Sequence, residues 1–93
     1  MIVGTAKIYL HANWVHSLKE KRMVVKSLID KVKHKFNVSI AEVEDLDVHQ
    51  SIVIGIACVS NSTKHSNQCI QSVVEYIEQN TEAVVQNIEV EIL

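Results

Sequence analysis

Between Gln50 and Ser60 the chain is apolar on both faces of an extended backbone. Ile52, Ile54, Ile56 and Cys58 project to one side, and Val53, Gly55, Ala57 and Val59 to the other. Such a run belongs to a central strand, because a strand half in water would alternate with polar residues. The remaining segments must then supply its neighbours. Residues 2–11 alternate, with Ile2, Gly4, Ala6, Ile8 and Leu10 on one face and Val3, Thr5, Lys7, Tyr9 and His11 on the other. Their pattern is that of a half-buried strand, with small residues where something packs closely. Val38, Ile40 and Val43 mark a shorter strand with an imperfect period, bulged near Ala41-Glu42. Ile88, Val90 and Ile92 alternate with Glu89, Glu91 and Leu93 in a closing strand.

Two helices lie between these strands. Ser17 and Glu20 stand in the S-x-x-E relation of a capping box, in which the serine hydroxyl satisfies an orphan N–H of the first turn. Behind them Leu18, Val25, Ile29, Val32 and Phe36 fall in a narrow arc at 3.6 residues per turn. Asn37 then ends the helix, a residue suited to the left-handed position after a helix C-terminus. Asn61-Ser62-Thr63 caps a second helix, with a buried stripe of Ile70, Val73, Val74 and Ile77 and an end near Asn80. The order β-α-β-β-α-β predicts one ferredoxin-like α+β sandwich over residues 1–93, with strands in spatial order 4-1-3-2 and both helices on one face. That order sets Glu89 or Glu91 across from Lys7.

Composition adds a charge asymmetry. Residues 19–35 hold seven of the nine Lys and Arg against only Glu20 and Asp30, a local charge of +5; the total of −2 leaves −7 for the remainder. Lys19, Arg22, Lys26 and Lys33 line one flank of the first helix, and Lys21, Lys31 and Lys35 the other. Strands one and three are expected side by side and parallel, which starts both helices at one end of the sheet. Ser17, Lys19, Lys21, Arg22, Ser62 and Lys64 would then gather around two positive dipole ends as an anion site. His11, His16 and His65 would approach the same end, where three imidazoles suit zinc, although nothing in the spacing demands it. No metal or cofactor is expected. Cys58 and Cys69 have no C-x-x-C spacing and read as reduced thiols. No secretory signal precedes the first strand, and no apolar run approaches the ~20 residues of a membrane span. The expectation is a cytoplasmic protein without membrane contact.

Several of these segments carry a resemblance. His11, Ser17-Leu18-Lys19-Glu20-Lys21-Arg22, Val25-Lys26-Ser27-Leu28, Lys35-Phe36-Asn37-Val38-Ser39 and Ala41-Glu42-Val43 resemble the YlxP-like family of small bacterial proteins. The similarity continues through Asp47, Gln50, Gly55 and Val59-Ser60-Asn61. It implies a ferredoxin-like sandwich without an established enzymatic activity. It also implies a setting near the ribosome, since members are often encoded beside translation-initiation and ribosome-maturation factors.

Function classes then separate on residues. With one Trp, one Phe and two Tyr, the sheet has no aromatic platform for single-stranded nucleic acid. Acylphosphatase chemistry needs an arginine in a glycine-rich loop after the first strand, and Ala12–His16 has neither. The acidic run Glu42, Glu44, Asp45 and Asp47 lacks the order of a calcium loop. Two expectations remain. The first is a non-enzymatic protein that binds ribosomal or structured RNA through Ser17, Lys19, Lys21, Arg22, Lys26, Lys33 and Lys64. The second is a homodimeric interaction module acting through the exposed sheet face or an edge strand, with Trp14 as an anchor for a partner.

Overall fold

A computed structural model describes all residues from Met1 to Leu93. The elements run β1 (Ile2–His11), α1 (Leu18–Lys35), β2 (Ser39–Glu44), β3 (Ser51–Ser60), α2 (Thr63–Gln79) and β4 (Val84–Ile92). The strands form one antiparallel sheet in the order β2-β3-β1-β4. This is the 4-1-3-2 arrangement, with β3 and β1 in the middle as their patterns require. Ala6, Ile8 and Leu10 of β1 and Ile52, Ile54, Ile56 and Cys58 of β3 face the helices and form the centre of the core. Val25, Leu28 and Val32 of α1 and Ile70, Val73, Val74 and Ile77 of α2 cover them.

Serines cap both helices as their sequence positions predict. Ser17 Oγ accepts from Glu20 N at 3.1 Å, and Ser62 Oγ accepts from His65 N at 3.0 Å. The end of α1 differs from expectation. Phe36 leaves the helix in an extended conformation while its N–H still donates to Val32 O, so no left-handed residue is used at Asn37. The one positive φ outside glycine is Asp45, at 56°, in the β2–β3 turn. β2 is bulged, with the register shift between Glu42 and Glu44. The displaced Val43 lies over Gly55, where a Cβ would come within 2.8 Å of its Cγ1.

Gly4 explains the small residues of β1. A Cβ there would sit 2.9 Å from Ile70 Cδ1, 3.0 Å from Ser66 Cβ and 3.2 Å from Cys58 Sγ. The absence of a side chain thus lets α2 approach the sheet. Gly4→Val is expected to destabilise the fold by about 1–3 kcal/mol through overpacking, read as a lower urea midpoint at unchanged m-value. An unchanged midpoint would mean that α2 shifts freely on the sheet.

One expectation fails outright. β1 and β3 pair antiparallel, with Ile2 opposite Ser60 and His11 opposite Ser51. α1 follows the C-terminal end of β1 and α2 that of β3, so the helices begin at opposite ends of the sheet. A ten-residue strand at about 3.3 Å per residue separates those ends by roughly 30 Å. Ser62, Lys64 and His65 are therefore remote from Ser17, Lys19 and His16. The twin-terminus anion site and the three-histidine cluster do not assemble.

Candidate nucleic-acid interface

What remains of the expected anion-binding set is the outer face of α1. Lys21, Val25, Leu28 and Val32 form its buried line, rotated by about 40° from the expected arc, with Leu28 inside in place of Ile29. Lys19, Arg22, Lys26 and Lys33 are all exposed, and at 100° per residue they share an arc of about 60°. Over the fourteen steps from Lys19 to Lys33 the stripe is about 21 Å long at 1.5 Å rise per residue. Its one acidic member is Asp30, whose Oδ2 lies 3.1 Å from Lys26 Nζ. That pair is open to water, at 78% and 61% exposure, and holds Lys26 only weakly.

Lys21 does not belong to this surface. It is completely buried (0% exposed), its ammonium 2.8 Å from Glu42 Oε2 and donating to the Asp45 carbonyl. Its stem replaces an apolar residue in the buried line of α1, and β2 and the β2–β3 turn supply the counter-groups. Glu42 Oε2 lies off the hydrogen-bond direction from Lys21 and has no other partner. Ser17 is spent on its cap, and Lys64 stands at the far end of the sheet. The expected seven-residue site reduces to four cations on one helix face.

The same end of the molecule is tied by polar contacts that the sequence did not single out. Gln50 Nε2 donates to the carbonyls of Asn13 and Val15, at 3.0 and 3.1 Å, and pins the β1–α1 loop. Asp45 Oδ2 accepts from Ser51 Oγ at 2.7 Å. Trp14, in the pinned loop, is half-buried against the core and lines a groove beside α1.

The face of the sheet away from the helices is open except at Val53, which is buried. A shallow depression of about 620 Å³ crosses it, floored by small residues such as Thr5, Ala41, Gly55 and Ala57. Lys7 pairs with Glu89 in register, as expected, but its ammonium bonds to Glu44 of β2. That hydrogen bond holds the Lys7 pKa above its ordinary value. Tyr9 is likewise raised, chiefly by the Glu89 carboxylate near its hydroxyl. Cys58 is buried and Cys69 half-buried, and both are free thiols. Desolvation, and then the neighbouring Cys58, push the Cys69 thiol up. No helix is long and apolar enough to cross a membrane.

A family model described as "Protein of unknown function (DUF503)" matches residues 3–90. The chain belongs to the DUF503 family. A relative printed as "Uncharacterized protein YlxP", from Bacillus subtilis (strain 168), is 44% identical over 62 residues, 67% of either chain. The resemblance drawn from the S-L-K-E-K-R segment and its companions is thereby shown. A de novo designed protein with a ferredoxin fold superposes with a TM-score of 0.63, at 14% identity, over 98% of this chain and 85% of its own. At that identity the likeness concerns the fold alone. Several residues that carry the DUF503 resemblance hold structural posts here. Lys21 and Glu42 pair in the interior, Gln50 pins a loop, and Ser60 Oγ shares a 2.7 Å hydrogen bond with the buried Ser66 Oγ.

Proposed function

We propose that this protein is a non-enzymatic, cytoplasmic accessory factor that binds structured RNA, ribosomal RNA included, through the outer face of α1. The observation that carries this reading is the stripe Lys19, Arg22, Lys26 and Lys33, exposed along one side of a capped, rigid helix. Regularly spaced cations on a stiff element bind a phosphate backbone by neutralising charge and releasing counterions. The excess negative charge elsewhere in the chain restricts such binding to this face.

The test is retention on purified ribosomal subunits and on a structured RNA at low salt. The wild type is expected to bind, and Lys19→Glu with Arg22→Glu to lose at least about 100-fold in affinity, since two attractions become repulsions. No retention of the wild type would sink the reading.

A second reading rests on the uncovered sheet. Its small-residue floor, with Val59 67% exposed, supports a homodimer formed through the open face, with the β4 edge as the alternative contact. Sedimentation separates the two, because the charge-reversed variant leaves a sheet-mediated dimer intact.

A further inference from the structure

A groove of about 580 Å³ runs between α1 and the turn joining α2 to β4. We propose that it takes one unstacked nucleobase of the RNA whose phosphates lie along the α1 stripe. This rests on the RNA reading above and narrows it to RNAs with a bulged or looped nucleotide.

The groove and the stripe share a helix. Trp14, Met23, Val24 and Leu28 provide the apolar part of the groove, with Lys31 on the same wall. Met23 is 65% exposed and lies four residues after Lys19 and three before Lys26, the spacings at which helical side chains are neighbours. Met23 thus borders the stripe on one side and the groove on the other, the groove's α1 residues centring roughly 140° around the helix from the stripe. A polyanion laid along the stripe has Met23 at its border, and only a nucleotide swung out of its stack reaches round α1 to Trp14. The volume falls in the range of small-ligand sites, and an indole beside a cationic track is the arrangement on which an exposed base stacks.

The opposite wall argues for a base and against a phosphate. It contains Gln79 and Glu82, and a carboxylate repels phosphate but accepts hydrogen bonds from an exocyclic amine. Charge complementarity with the neighbouring stripe favours a nucleotide over an apolar protein side chain, which would leave those cations without partners.

Trp14 is the only tryptophan, so its fluorescence reports the groove without labelling. The probes are an RNA hairpin with a single bulged adenosine and the same hairpin fully paired. The bulged RNA is expected to bind roughly tenfold tighter and to quench Trp14, while the paired RNA binds without quenching. Trp14→Leu should bring both RNAs to one affinity with an unchanged salt dependence. Met23→Ser, at an exposed position that the fold does not need, should narrow the difference in the same direction. Equal affinities with unaltered fluorescence would overturn the groove proposal and leave the stripe reading standing. If neither hairpin binds at low salt, both readings fall, and the groove becomes a candidate anchor for a protein.

Discussion

Replacing Lys21 with methionine is expected to remove about 3–5 kcal/mol of folding stability, the usual result of stripping one partner from a buried ion pair. Methionine keeps the length and apolar character of the stem, so packing changes little. What is lost is the ammonium between Glu42 and the Asp45 carbonyl. The carbonyl retains the Val48 N–H at 3.0 Å, but Glu42 Oε2 is enclosed and has no other partner. The penalty therefore falls on an uncompensated carboxylate. In a domain of 93 residues, a loss of 3 kcal/mol lowers Tm by roughly 12–24 °C. Lys21→Met combined with Glu42→Leu should recover most of it, because two well-packed apolar residues replace a buried pair at little cost. A single-variant loss below about 1 kcal/mol would show that Glu42 swings out to water when its partner is removed.

RNA affinity is expected to fall about 100-fold between 50 and 200 mM salt. Four exposed cations give a slope of roughly −3 to −4 in a plot of log affinity against log salt, and that concentration range is a fourfold step. Lys19→Glu with Arg22→Glu should at least halve the slope. Lys21→Met should leave it unchanged at temperatures where the variant is folded, because an ammonium inside the protein neutralises no phosphate. The contrast between adjacent positions separates a surface stripe from a merely lysine-rich segment. A flat salt response in the wild type would show that the four cations contact solvent alone.

Much of the fold was legible because it depends on local periodicity. The double apolar row of β3, the alternation of β1 and the Ile70/Val73/Val74/Ile77 stripe each reflect a single element burying a single surface. Ser17 and Ser62 were legible as caps because capping is decided within four residues. The Lys7–Glu89 register followed from strand order, although Glu44, brought close by the β2 bulge, takes the charge. Strand direction departs from the expectation. A crossover makes β1 parallel to β2, and the short hairpin then reverses β3, so β1 and β3 must oppose each other. The twin-terminus site and the histidine cluster both failed on that one step.

Lys21 was missed for a different reason. By residue type a lysine in a basic segment reads as surface, and the apolar positions of α1 leave its buried line uncertain by about 40°. Only Glu42 and the Asp45 carbonyl, twenty-one and twenty-four positions away, make the inward orientation stable. The sequence alone determined the elements, their order, the family and the cationic face of α1, since each is set by neighbours along the chain. The tertiary structure decided which lysine is interior and what groove adjoins the stripe. Those features depend on groups far apart in sequence, and only the assembled fold sets the distances between them.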